Sequence, residues 1–240
     1  MTPSIKTWLI ISLIINFAGI VALAGVIWWM GGLEQVLTKF NRRGLSQEYE
    51  LMRNQLAMLP TDSVDILLLG NSLTNHGAWE EWLPGYSIAN RGISGEGIEG
   101  LTDRLEDYQA LAPGLVFTMI GINDLFYHEP SWLKERFPTL LARLQKTYPQ
   151  SKLVFQSILP VNNSVMNTGL SNQSIAKLNK ELEALVKENG HHFLDLSNGF
   201  QDSEGNLKSS WTNDGLHLNG PAYQFWAGQI RKIAEQIGKE

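Results

Sequence analysis

The chain alternates short apolar runs with longer stretches of helical periodicity, but it opens with something else. From Trp8 to Met30 it reads WLIISLIINFAGIVALAGVIWWM, without a charge. At about 1.5 Å per helical residue this covers the roughly 30 Å of bilayer hydrocarbon, which predicts a transmembrane helix. Trp8 at one end and Trp28 with Trp29 at the other suit the membrane interface, while Asn16 in the middle costs something without forbidding insertion. Ala22-Leu23-Ala24 is also an A-x-A pattern, and Lys6 ahead of an apolar run fits a cleavable signal peptide. The run continues through VIWWM beyond that site and exceeds the ~7–15 residues of a signal core, which favours a retained anchor.

Next comes LEQVLTKFNRRGLSQEYELMRNQLAMLP, with Leu33, Val36, Leu37 and Phe40 at helical spacing and Gly44 as a break. It reads as an amphipathic stem, since the heptad pattern of a coiled coil is not sustained. From Val64 onward the apolar runs VDILLL, YSIAN, LVFTMI, KLVFQSI and HHFLDL predict strands. Helical patterns fall between or after them at 97–108, 131–147, 171–188 and 221–237. This alternation implies βαβ crossovers and a parallel sheet between helices. The expected organisation is an anchor (or signal peptide) over residues 1–31, a stem over 32–62 and one globular domain over 63–240.

Composition narrows the function. The formal charge of −5, with lysines and arginines scattered, provides no basic field for a phosphate backbone, so nucleic acid is not an expected partner. With no cysteine there is no disulfide, thiolate nucleophile or cysteine-ligated metal site. The positive-inside count sets Lys6 and the amino terminus against Lys39, Arg42 and Arg43, which favours a cytoplasmic domain. The short tail before a signal-like apolar run is the architecture of an exported, anchored protein, and an extracytoplasmic domain is the expectation taken.

In open α/β sheets ligands bind beyond the C-terminal ends of the strands. Here GNSLTNHG follows the first strand, RGISGEG the second and GINDLFYH the third. Ser72, where a strand passes into a turn, is either a helix cap or a nucleophile; the second role needs a base, a group orienting it, and oxyanion donors. Of five histidines, His191 and His192 are adjacent in a strand and face opposite sides, with His191 expected toward solvent. His128 has no evident partner, and His76, one helical turn from Ser72, suits a rim or substrate contact. His217 in TNDGLHLN has Asp214 three residues earlier, a spacing that can place a carboxylate on one ring nitrogen and leave the other for a serine. Gly92 permits close backbone approach and Asn123 can offer its amide as oxyanion donors. A positive-φ turn at Gly92 and an Asx-turn at Asn123 are the plainer alternatives.

Taken in order, GNSLT, NRGISGEG, GIND and DGLH resemble the SGNH or GDSL hydrolase superfamily, from about Val64 to the C-terminus. The flanking text NRGISGEGIEGLTDRL and FTMIGINDL is most similar to the bacterial branch resembling platelet-activating-factor acetylhydrolase and carbohydrate acetylesterases. The resemblance implies a three-layer α/β/α flavodoxin-like fold with a five-stranded parallel sheet. It implies Ser72 as nucleophile, His217 as base and Asp214 as its orienter. The implied oxyanion hole is the Ser72 and Gly92 N–H groups with the Asn123 side chain, and no metal or organic cofactor is implied. Where the family commonly has G-D-S, this chain has Gly70-Asn71-Ser72. The expected activity is a serine esterase on short-chain, acetyl-like O-acyl esters of glycan or lysolipid type. An O-acyltransferase on envelope polysaccharide and a silent carbohydrate- or lipid-binding module are the rivals. Residues 8–30 make the membrane the other expected partner.

Overall fold

The computed structural model describes residues 5–29, 47–59 and 63–237, and the chain divides into two compact units, Met1–Glu48 and Tyr49–Glu240. In the first unit, α1 spans Ile5–Trp29, and its stretch Thr7–Trp29 is long and apolar enough to cross a membrane. Its 23 residues reach about 35 Å. Asn16 returns its amide to Ser12 O at 2.7 Å, which meets part of its hydrogen-bonding demand inside its own helix and would lower its cost in hydrocarbon. Leu33, Val36, Leu37, Phe40 and Gly44 of the expected stem lie outside the described residues.

The second unit is a five-stranded, wholly parallel sheet: β1 (Ser63–Gly70), β2 (Ile88–Gly92), β3 (Ala112–Met119), β4 (Lys152–Gln156) and β5 (His192–Leu194), in the order β2-β1-β3-β4-β5. Strand β1 carries Ile66, Leu67, Leu68 and Leu69, all buried, because a parallel sheet covered on both faces has no polar side. The helices obey the expected spacing. In α7 (Pro130–Thr147) Leu133, Phe137, Leu140, Leu141 and Leu144 form one buried stripe, and α8 (Asn172–Glu188), capped by Ser171 Oγ, buries Ile175, Leu178, Leu182 and Val186. Helix α7 packs between α5 (Ile98–Arg104) and α8, while the helix Gly220–Ile237 packs with α4 (Trp79–Trp82). Truncating a fully buried residue such as Leu140 to alanine costs about 2–5 kcal/mol.

The chain departs from β1 toward β2 and returns on the other side to β3, so the topological switch point lies at the C-terminal ends of β1 and β3. The register makes these ends level: Gly70 pairs with Gly92 on one side and with Met119 on the other. The polar loops after the first three strands therefore open onto one edge of the sheet.

Three features differ from the sequence expectation. The compact unit starts at Tyr49 rather than at 63, because helical residues 47–57, here α2, pack Tyr49, Met52 and Leu56 on its core while Arg53 forms a bidentate pair with Asp107. The last strand keeps only three of the six residues in HHFLDL. His191 does not face solvent; it is half-buried beside Phe155, its Nε2 has no partner among the described residues, and burial pushes its pKa down.

Candidate active site

Ser72 is the first residue of α3 (Ser72–Asn75), a single helical turn that cannot hold itself together. Its ends are fixed from outside. Asn71 Oδ1 caps it by accepting from Leu73 N at 3.0 Å. Its carbonyls are met by three other elements: Tyr223 Oη donates to Leu73 O at 2.7 Å, Trp79 Nε1 to Thr74 O at 2.7 Å, and Asn90 Nδ2 to Thr74 O and Asn75 O at 3.1 and 3.2 Å. Trp79 in turn stands edge-on to Trp226, with ring centroids 4.9 Å apart. Gly70 is required just before the turn, since a Cβ there would lie 2.4 Å from Met119 O. The hydroxyl of Ser72 is left uncommitted to capping and is 3.1 Å from His217 Nε2.

His217 lies in a loop that organises itself. Asp214 Oδ1 accepts the N–H groups of Leu216 and His217 at 2.9 and 2.7 Å, and Asp214 Oδ2 lies 2.7 Å from His217 Nδ1. Gly215 has φ of +85°, and a Cβ there would meet Asn162 O at 2.6 Å, so only glycine fits. The buried Asn162 ties this loop to the segment after β4, with its N–H on Gly215 O at 2.7 Å and its amide on Leu207 O at 2.7 Å. Burial raises the Asp214 carboxyl, but hydrogen bonds from the His217 ring and from the Leu216 and His217 N–H groups outweigh it and lower its pKa to about 2. An ionised Asp214 makes Nδ1–H the donor and leaves Nε2 to accept from Ser72 Oγ–H. The three side chains, drawn from two motifs 145 positions apart, thus form one hydrogen-bonded line.

Gly92, at the end of β2, does not have positive φ. Glycine is needed because a Cβ would lie 2.5 Å from Asn75 N, so the end of β2 rests on the backbone of α3. Its N–H donates to Asn90 Oδ1 at 3.0 Å. Asn123 sits in α6 (Ile122–Leu125) after Gly121, whose φ of +125° favours glycine, and donates one amide proton to Glu96 O at 2.9 Å. An amide has two such protons, so this bond orients Asn123 and spares the second. Its neighbour Asp124 is a structural group: its carboxylate caps α5 through Ile98 N, and burial raises its pKa to about 6 against that hydrogen bond. His76 lies at the rim, its ring centroid 5.5 Å from that of His217 and its Nε2 3.3 Å from Ser94 Oγ. His128 stacks on Trp132 at 3.9 Å and belongs to another part of the surface.

Sequence reasoning missed Asn90, whose amide joins Gly92 to α3, and the pair of Glu96 with Arg104 behind the second loop. The first could have been found as the N of N-x-G; the second has no local spacing that announces it.

A parallel 2-1-3-4-5 sheet with a Ser-His-Asp line at its switch point is in keeping with a carboxylic ester hydrolase. The chain belongs to the GDSL-like Lipase/Acylhydrolase family, whose family model matches residues 68–225. Among curated proteins it is 25% identical over 170 residues to platelet-activating factor acetylhydrolase IB subunit alpha1 of Homo sapiens, covering 66% of this chain and 70% of that one. It is also 28% identical over 182 residues, 72% of this chain, to N-acylneuraminate cytidylyltransferase of Escherichia coli O18:K1:H7, of which it spans only 41%. Among solved structures, a GDSL-like lipase from Bacteroides thetaiotaomicron superposes with TM-score 0.62 at 23% identity over 79% of this chain and 98% of that one. The acetyl xylan esterase AlAXEase does so with TM-score 0.59 at 19% identity over 70% and 98%. These two likenesses concern the fold.

Proposed function

We propose that this protein is a serine esterase that removes short, acetyl-like O-acyl groups from carbohydrate or lysolipid-type esters through an acyl-enzyme on Ser72. The observation that carries this reading is the 3.1 Å approach of Ser72 Oγ to His217 Nε2, with Asp214 holding the opposite ring nitrogen at 2.7 Å. Ser72 Oγ attacks the ester carbonyl as His217 Nε2 takes its proton; His217 then protonates the departing alcohol, and water repeats the sequence to release the acid. The anionic intermediate is held by the Ser72 N–H, the Gly92 N–H and the second amide proton of Asn123. A full negative charge is a stronger acceptor than the neutral Asn90 amide, so it draws the Gly92 N–H away from Oδ1 or shares it. Removing one such donor typically costs about 2.7–4 kcal/mol of transition-state stabilisation.

The preference for short acyl groups rests on the family branch, and it agrees with an acetyl xylan esterase among the structural neighbours. Hydrolysis rates of p-nitrophenyl esters of increasing acyl length test it: acetate and propionate lead, and an optimum at eight carbons or more overturns it. The apolar helix Thr7–Trp29 supports a membrane anchor, and we take the hydrolase domain to lie on the extracytoplasmic side. Protease added to intact spheroplasts then digests the domain, and full protection reverses the orientation.

A further inference from the structure

Behind the second glycine loop lies a buried ion pair for which acyl transfer has no use. Glu96 and Arg104 have fully buried side chains and pair through Arg104 Nε to Glu96 Oε1 at 2.5 Å and through Arg104 Nη2 to Glu96 Oε2. The same guanidinium donates from Nη2 to Arg91 O at 2.7 Å and from Nη1 to Tyr108 Oη at 3.0 Å. Arg91 precedes Gly92, and the carbonyl of Glu96 is the acceptor that orients Asn123. One cation therefore grips both ends of the segment 91–96. A buried carboxylate needs several donors, and Glu96 takes a further one from outside the loop: Tyr49 Oη lies 3.0 Å from Glu96 Oε1 and 3.3 Å from Gly100 O. Tyr49 belongs to α2, ahead of the family match at 68–225, on the stretch of chain that joins the N-terminal apolar helix to the hydrolase fold.

We propose that Tyr49 is a positioning residue, which through Glu96 holds the 91–96 segment and Asn123 at the spacing the oxyanion requires, so that α2 sets the geometry of the active site. The proposal rests on the reading of Gly92 and Asn123 as oxyanion donors. Backbone donors act only when preorganised, and a misplacement of about 1 Å can cost up to ~10²-fold in rate. Loss of the hydroxyl loosens the loop in the transition state more than it alters ground-state binding, so it appears in kcat rather than KM.

The test uses the full chain in detergent micelles with p-nitrophenyl acetate. Tyr49→Phe keeps the ring and removes the hydroxyl. It is expected to lower kcat about three- to tenfold with KM within about twofold, and to slow fluorophosphonate labelling of Ser72 by the same factor. Arg53→Gln, on the same helix as Tyr49, breaks the pair that Arg53 makes with Asp107 and removes no hydrogen bond to the 91–96 segment; it lowers the melting temperature and leaves kcat unchanged. A wild-type kcat in Tyr49→Phe overturns the proposal. So does a fall in kcat that Arg53→Gln reproduces at equal loss of melting temperature, since Tyr49 then serves stability alone. Ser72→Ala measured alongside separates the two readings: activity surviving there defeats the acyl-enzyme, whereas an inactive Ser72→Ala with a normal Tyr49→Phe defeats only the positioning role.

Discussion

Asn71 Oδ1 accepts the backbone N–H of Leu73 at 3.0 Å, so the residue that departs from the common G-D-S pattern is the helix cap, and the serine beside it is not. Aspartate at this place would cap in the same way. Asn71 is fully buried and its Nδ2 has no partner among the described residues, so nothing described around it calls specifically for a neutral amide.

Asn71→Asp is therefore expected to stay active, with kcat within about tenfold of wild type: the cap survives and the N-terminus of α3 offsets part of the buried charge. Asn71→Ala loses the cap, costs about 1 kcal/mol in denaturant unfolding, and lowers kcat by letting α3 shift. Ester kinetics and urea titration of both variants check this, and an inactive Asn71→Asp would give the neutral amide a role that capping does not explain.

The Asp214 carboxyl, lowered to about 2, is ionised throughout the working range. Because its folded pKa lies below its unfolded value, its contribution is complete above about pH 4 and disappears as pH falls through 2. Asp214→Asn keeps an oxygen for the Leu216 and His217 N–H groups but cannot accept from Nδ1–H, so it favours the wrong tautomer. A fall in kcat of about 10²–10⁴-fold with a near-native melting temperature is expected. A loss below about tenfold at pH 7 would remove Asp214 as the group that fixes the His217 tautomer.

Asp124 behaves in the opposite sense. Burial raises its pKa to about 6, so the folded state holds a proton that the unfolded chain has released, and stability is lost as pH rises from about 4 through 6. Asp124→Asn can still cap Ile98 and has nothing to ionise. The melting temperature of the variant should pull ahead of wild type as pH rises from 4 to 7, by up to about 3 kcal/mol in stability. A gap that is constant or shrinks with pH contradicts the assignment.

Periodicity was enough for the strands and long helices because each buries a regular stripe: the apolar run of β1 and the stripe of α7 are visible without coordinates. The ends were less legible. Ser171 reads as helical from its pattern and acts as a cap, and HHFLDL is apolar enough for six strand residues but pairs over three. Ser72, Asp214 and His217 could be singled out because the proposed chemistry asks for those residue types, and the structure brings them within hydrogen-bond reach of one another. The supports are side chains brought together by topology alone. Tyr223 reaches Leu73 O across 150 positions, and Tyr49 reaches Glu96 across 47, without any spacing to mark either. Residues 47–57 read as stem for the same reason: their helical pattern does not reveal which surface they cover.

Acylation of Ser72 is read by mass spectrometry of the full chain quenched during turnover of p-nitrophenyl acetate. An acetyl adduct is expected on the Ser72 peptide, absent from Ser72→Ala, whose hydrolysis falls at least about 10³-fold. Hydrolysis near the wild-type rate by Ser72→Ala, or an adduct confined to another residue, would contradict it.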